Sequence, residues 1–263
     1  MYKKRSYRPR RKTAAPKRKY AKRVYKKSSF ASKVKKVIHR MAENKVLSGY
    51  AANQSIAWAG SVTNPTNYKL VPAVRQGGGS NQRVGNQIRV TKAIVRGYVN
   101  LKPYSATNNP YDYPIYVKMW LCRRQTTNVT ITGVNPTTAD WAQFFQTGNS
   151  AVGFQSNMLD MMLYHNKDYW NVFQQKTIQL STNFASGSVI TNPGSGRVST
   201  SFYFDVTKYL GNLKFNDDNA DYVPTNKELL LVFQAVKADG STPGALLDVA
   251  EYHIAYDYQF EDL

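Results

Sequence analysis

Positive charge is concentrated at the N-terminus of this 263-residue chain. Residues 1–45 contain 19 Lys and Arg against the single acid Glu43, whereas residues 46–263 contain 17 basic and 15 acidic residues. Proteins bind single-stranded nucleic acid with cations along a flexible path and with flat side chains on which bases stack. Tyrosines lie among the cations of the basic segment, so its composition predicts binding of single-stranded nucleic acid without sequence readout.

The residues predicted to contact phosphates are 17 of the Lys and Arg residues in the first 40 positions, and tyrosines between them are candidate stacking side chains. The predicted nucleic-acid-binding set is Lys3, Lys4, Arg5, Arg8, Arg10, Arg11, Lys12, Lys17, Arg18, Lys19, Lys22, Arg23, Lys26, Lys27, Lys33, Lys36 and Arg40, with Tyr7 and Tyr20, and Tyr2 and Tyr25 as further stacking candidates.

The basic segment divides into two parts. Residues 1–30 have no hydrophobic periodicity and cannot bury enough surface to offset the entropy of ordering, which predicts a disordered arm. In residues 31–45, Val34, Val37, Ile38 and Met41 recur at helical spacing, which predicts a short basic amphipathic helix. A helix of this length needs a partner or a polyanion to be stable.

Residues 46–263 are predicted to form one β domain, because the hydrophobic period changes to two. Eight apolar or β-branched runs are separated by turn-rich pieces, which indicates a sandwich or a barrel. The runs are 54–62, 67–75, 86–101, 114–123, 172–182, 198–208, 228–237 and 251–260. Residues 138–146 and 156–164 are predicted to be short helices or a structured loop inserted between two halves of this domain.

A second asymmetry follows the basic segment, because no acid occurs between Glu43 and Asp112. Two interpretations remain open: the cations in this interval extend the nucleic-acid footprint, or they are ordinary solvated strand residues. The cations are Lys45, Lys69, Arg75, Arg83, Arg89, Lys92, Arg96 and Lys102.

Catalysis and cofactor binding are not predicted. His39, His165 and His253 lack neighbouring ligands at metal spacing, and Cys122 lies within an apolar run, where a buried hydrophobe is expected rather than a nucleophile. Residues Asp217, Asn219 and Asp221 resemble the start of a calcium loop. Tyr222 stands where such a loop needs glycine, so a polar turn is favoured over a Ca²⁺ site shared with a neighbouring subunit.

The sequence of the basic segment also bears on two other uses. An anionic membrane surface is disfavoured, because residues 1–30 lack an apolar face that could enter lipid. Nuclear import is compatible with packaging, since Pro9–Lys12 and Pro16–Lys19 match basic import signals. No signal peptide is expected at the charged N-terminus.

Several motifs resemble known capsid proteins. Residues 2–12 (YKKRSYRPRRK) resemble the start of capsid proteins from circovirus-like viruses with small single-stranded DNA genomes. Residues 76–98, with the pattern Arg83-x-Gly85-x-x-Ile88, resemble the satellite tobacco necrosis virus coat protein. The likeness continues through 31–45 and 114–124 and weakly through 172–181, but the chain is longer between 125 and 170 and differs across 183–250.

The resemblance implies a single eight-stranded jelly roll of two antiparallel sheets, assembling as about sixty copies with its arms directed inward. It implies a virion protein that packages single-stranded DNA and uses host nuclear import factors; the host receptor is unknown. The alternatives are a coat protein that packages RNA and a cellular basic nucleic-acid-binding protein.

Overall fold

The computed structural model describes residues 44–58, 65–102, 114–125, 135–181, 197–216, 222–240 and 247–263. Strands dominate the described residues: β1 Asn44–Trp58, β2 Thr66–Lys69, β3 Gln87–Leu101, β4 Ile115–Arg124, β5 Phe145–Thr147, β6 Ser150–Val152, β7 Tyr164–His165, β8 Trp170–Leu180, β9 Ser199–Asp205, β10 Asn212–Lys214, β11 Leu230–Lys237 and β12 Leu247–Asp262. The helices are short: α1 Thr138–Trp141, α2 Met158–Met162 and α3 Thr207–Leu210.

Two antiparallel sheets form a sandwich. The first sheet has the order β1-β12-β3, with β9 and β10 pairing with successive parts of β3; the second has the order β2-β11-β4-β8. Along the chain, successive strands of the sandwich change sheet, except that β4 and β8 are neighbours in the second sheet and β9 and β10 both lie in the first. This connectivity is that of an eight-stranded jelly roll in which β9 and β10 together form one interrupted edge strand. The predicted all-β fold class is confirmed.

The core lies between the sheets and follows the alternation of side chains along each strand. In β3, Ile88, Val90, Ala93, Val95 and Val99 are buried against the second sheet. Residues between them point outward, because successive side chains of a strand lie on opposite faces. This alternation places the exposed residues of β1, β3, β9 and β12 on one outer face.

Each predicted apolar run overlaps a strand of the sandwich, but some boundaries were wrong. β1 begins at Asn44, so Asn44 and Lys45 belong to a strand rather than to the helix predicted for residues 31–45. Lys45 is buried and pairs with Asp262 at 2.8 Å, which explains why a lysine is accepted in this strand. The rest of the predicted helix lies outside the described residues.

The interval 135–169 covers the outer face of the second sheet. Its α1, α2 and the small sheet β6-β5-β7 agree with the predicted short helices and structured loop. Trp141 stacks on Trp170, with ring centroids 4.7 Å apart, and Phe144 contacts the outward-facing Trp120 of β4. This second apolar cluster consists of Trp120, Cys122, Trp141, Phe144, Phe145, Phe154, Trp170, Leu230 and Val232. The insertion therefore covers the outer face of the second sheet at these positions.

A buried ion network fixes one end of the insertion to the second sheet. The Arg124 guanidinium donates to the two Glu228 carboxylate oxygens at 2.8 and 3.0 Å and to Asp140 at 3.0 Å. Asp140 also accepts from the backbone N–H of Thr137 and so completes the cap of α1. Because Arg124 and Glu228 are both buried, neither charge can return to water without local opening.

We predict that Arg124→Leu lowers the free energy of unfolding by ~3–5 kcal/mol, because Glu228 would stay buried without its partner. The measurement is equilibrium unfolding in denaturant. Arg96→Leu is the matched control: the Arg96–Asp257 pair has the same chemistry, but its arginine side chain is 62% exposed, so a loss below ~1 kcal/mol is expected. Equal losses in the two variants would contradict the assignment of Arg124 as a structural cation.

Candidate nucleic-acid interface

The predicted phosphate-binding and stacking residues between Tyr2 and Arg40 lie outside the described residues, as do His39 and the weak calcium candidates Asp217, Asn219 and Asp221. The structure therefore leaves these predictions untested. It does describe the strand into which the basic segment leads. Asn44 starts β1, an edge strand of the first sheet, and is paired with Glu261 near the end of β12.

Two cations of the acid-free interval are structural. Arg83 is fully buried; it donates to the carbonyls of Val74 and Gly85 and lies over the ring of Phe215, 4.5 Å from its centroid. Lys45 donates to the Gln82 carbonyl at 2.8 Å in addition to its ion pair with Asp262. A buried cation saturated by carbonyl and carboxylate oxygens is not available to phosphates, so these two residues are removed from the possible footprint.

The exposed cations of the interval lie among carboxylates from the C-terminal part of the chain. Arg96 pairs with Asp257 at 2.7 Å, and Arg89 lies directly opposite Glu261 in the ladder. Hydrogen bonds from Thr207, followed by the charges of Lys208 and Lys92, lower the pKa of Asp205. Cation and acid therefore alternate on the outer face of the first sheet, and the interval does not form a continuous basic surface there.

The remaining cations of the interval are dispersed. Arg75 lies over the Tyr222 ring, 5.6 Å from its centroid, and Lys102 donates to the Ser55 hydroxyl at 3.3 Å. Lys69 lines a cavity of about 310 Å³ beside Tyr68, Tyr256 and Tyr258. Burial raises the pKa of Tyr68 to about 12 and lowers the pKa of Lys69, and the Tyr258 hydroxyl donates to the Leu70 carbonyl at 2.6 Å.

Exposed tyrosines mark the outer face of the first sheet, a feature that the sequence interpretation missed. Tyr50, Tyr98 and Tyr203 are 80%, 53% and 61% exposed. We call the surface formed by these three side chains the tyrosine face. The available signal was the strand alternation: Tyr203 lies between the buried Phe202 and Phe204, so period two predicts that its ring points away from the core.

Two of the three tyrosines, Tyr50 and Tyr98, line a shallow recess of about 460 Å³. One ladder row runs across four strands through Tyr50, Ala255, Arg96 and Tyr203. In the adjoining row, Tyr98 lies opposite Ser201 and His253. The small residues of this surface are Ala255, next to Tyr50, and Ser201, next to Tyr98.

Gly97 lets β3 and β12 lie close together, and its missing side chain would face the core, because Arg96 and Tyr98 on either side of it point outward. A Cβ atom at Gly97 would lie 1.9 Å from the His253 carbonyl oxygen and 2.7 Å from the Phe202 ring. Both distances are far inside van der Waals contact, so a larger residue would force β3 and β12 apart. Glycine inside a strand often marks such a close approach.

Among the described residues, no group of three or more His, Cys, Asp or Glu is placed to hold a metal ion. Among the same residues, none of the helices is long and apolar enough to span a membrane. His253 hydrogen-bonds Glu251 at 3.2 Å on the first sheet, whereas His165 lies in β7 of the insertion. Cys122 is buried in the second apolar cluster, and burial raises the pKa of its thiol.

Comparison with solved structures gives weak likenesses to viruses. The structure of Desmodium yellow mottle tymovirus is 11% identical, with a TM-score of 0.32 over 83% of this chain and 88% of that chain. Mud crab tombus-like virus is 11% identical, with a TM-score of 0.31 over 97% and 93% of the two chains.

Macrobrachium rosenbergii nodavirus is 10% identical, with a TM-score of 0.32 over 98% of this chain and 61% of that chain. No protein-family model and no curated protein matches the chain. At these TM-scores we draw no functional conclusion from the likenesses.

We predict that Cys122 is unreactive in the native protein, because its thiol is buried and its pKa is raised. Ellman's reagent at pH 8 should modify native protein at least roughly tenfold more slowly than protein unfolded in guanidinium, where one thiol per chain should react at the rate of a free cysteine. Rapid stoichiometric modification of native protein would contradict this placement and reopen the question of a nucleophilic role.

Proposed function

We propose that this chain is a viral capsid protein that self-assembles into a small icosahedral shell and packages a single-stranded DNA genome through its basic N-terminal arm. The observation that carries the proposal is the division of charge. A net charge of +18 lies in residues 1–45, and only +2 remains in residues 46–263. Copies of a near-neutral jelly roll can pack against one another without strong repulsion. The attached polycationic segment can bind a polyanion independently of that packing.

The arm suits packaging rather than sequence recognition. Lysines and arginines neutralise phosphates irrespective of the base, and Tyr7 and Tyr20 offer rings on which any base can stack. A segment that is disordered when free can follow nucleic acid of many shapes. If sixty copies assemble, as the resemblance implies, their arms bring roughly a thousand positive charges, enough for roughly a thousand phosphates. That scale fits a genome of a few kilobases at most.

The jelly roll supports the shell part of the proposal without establishing it, because one fold serves many functions. Residues 46–263 carry a net charge of only +2, so close approach of many copies meets little net repulsion. DNA is favoured over RNA by the resemblance of residues 2–12 to circovirus-like capsid proteins. Packaging of RNA is the main alternative, followed by a cellular basic nucleic-acid-binding protein.

We further propose that the protein resides in the virion and passes through the host nucleus during assembly. The basic clusters Pro9–Lys12 and Pro16–Lys19 would bind host import factors through the same cations that later bind the genome. The two uses are sequential and do not conflict.

Removing residues 1–30 tests the role of the arm directly. We predict that the truncated chain still folds and forms particles by electron microscopy, while its absorbance ratio at 260 and 280 nm falls to that of protein alone. The physical reason is the loss of most of the phosphate-neutralising charge.

Two arm variants provide matched controls. An arm with every arginine of residues 1–30 replaced by lysine keeps its charge and should keep its nucleic acid; one with those arginines and lysines replaced by glutamine should lose it. Truncated shells that retain a full load would overturn the role of the arm. Full-length protein that stays monomeric would favour the cellular alternative, and extracted nucleic acid digested by ribonuclease but not by deoxyribonuclease would favour the RNA coat protein.

A further inference from the structure

Among the residues that the structure describes, no further element packs on the tyrosine face. The insertion of residues 135–169 packs on the outer face of the second sheet, whereas the outer face of the first sheet leaves Tyr50, Tyr98 and Tyr203 more than half exposed. Three large aromatic side chains on one surface, away from the core, are not required for the stability of the sandwich. Their position calls for an occupant with flat apolar surfaces.

The charges of this face specify which part of a nucleic acid could lie on it. Arg89, Lys92 and Arg96 lie among the carboxylates of Asp205, Asp257 and Glu261. Such a balanced surface gives phosphates no net attraction, so the backbone of a nucleic acid would not be drawn to it. Unpaired bases carry no charge and stack on tyrosine rings in single strands. The tyrosine face can therefore bind unpaired bases by stacking, while the phosphates of the same strand bind cations of the basic segment.

Those cations are covalently connected to the same sheet. The basic segment leads into β1 at Asn44, on the strand that contributes Tyr50. The two residues are separated by ~20 Å along the strand, from a rise of ~3.3 Å per residue. A single strand whose phosphates are neutralised by residues 1–43 is thus held near a surface that accepts its bases.

We propose that Tyr50, Tyr98 and Tyr203 form a base-stacking platform for the packaged single strand, so that the first sheet faces the lumen of the shell. This inference rests on the proposed function. The platform reads no sequence, because stacking uses the ring faces that all bases share. The platform is a second nucleic-acid-binding surface, on the folded domain, in addition to the basic N-terminal arm.

A second copy of the chain is the other possible occupant. The centre of a protein–protein interface is depleted of charged residues, whereas Arg96 and Asp257 lie in the middle of this face, with side chains 62% and 43% exposed. Packing of another copy would desolvate that pair, which is costly unless new partners are supplied. Bases stacked on the rings leave the pair in contact with water.

Photochemical cross-linking of intact full-length particles tests the platform. Particles are irradiated at 254 nm and digested with nuclease and protease, and nucleotide adducts are mapped by tandem mass spectrometry. We expect adducts on Tyr50, Tyr98 and Tyr203. Tyr164 is the matched control, because it is 83% exposed but lies in β7 of the insertion on the opposite side of the sandwich; it should carry none.

Each outcome separates this inference from the proposed function. Nucleic-acid-containing particles with adducts only on arm tyrosines, or on Tyr164, would overturn the platform and leave packaging intact. A reconstruction that places another copy against the tyrosine face would do the same. Particles or monomers that contain no nucleic acid would overturn the proposed function itself.

Binding of the dissociated full-length chain to fluorescent oligothymidylate gives a second readout. The triple variant with Tyr50, Tyr98 and Tyr203 changed to Ser should bind at least roughly tenfold more weakly at high salt, since it loses three rings on which bases stack. The dependence of affinity on salt should keep its slope, because phosphate contacts are unchanged. Tyr164→Ser should change neither quantity, and an unchanged affinity of the triple variant would contradict the platform.

Discussion

Burying a charged side chain without a partner is costly, and this cost governs how the chain is divided. Eighteen excess positive charges in residues 1–45 could enter a folded core only with an equal supply of carboxylates, and the remaining 218 residues hold just 15 acids. Those acids are nearly matched by the 17 basic residues of the same part of the chain. The charge of the N-terminal segment is therefore left for a partner outside the chain, and a polyanion is the partner that its density fits.

Within the domain, the same cost explains the cations that sequence inspection could not assign. Arg83, Lys45 and Arg124 look like any other basic residue in the sequence, yet all three are buried and saturated by carbonyls or carboxylates. They hold together the loop before β3, the paired ends of β1 and β12, and the insertion. The jelly-roll domain is thus near neutral because acids nearly match its cations in number, and not because it lacks cations.

The alternation of apolar and polar residues was enough to predict the strands of the sandwich. This two-residue period follows from the pleat of a single strand and does not depend on residues far away in the sequence. It failed where long-range packing decides. The start of β1 depends on Asp262, which is more than 200 residues away in the sequence, and the break between β9 and β10 depends on α3. The tyrosine face was also missed: alternation shows that Tyr98 and Tyr203 point outward, but only the fold shows that the insertion covers the other sheet.

The central claim is that the jelly roll is a subunit of a closed shell. Mass photometry of the purified full-length protein tests it most directly. The account predicts one narrow population of about 1.8 MDa, the mass of sixty 29.8 kDa chains, plus the mass of packaged nucleic acid. Monomers or dimers persisting at every protein concentration, with or without added single-stranded DNA, would contradict it.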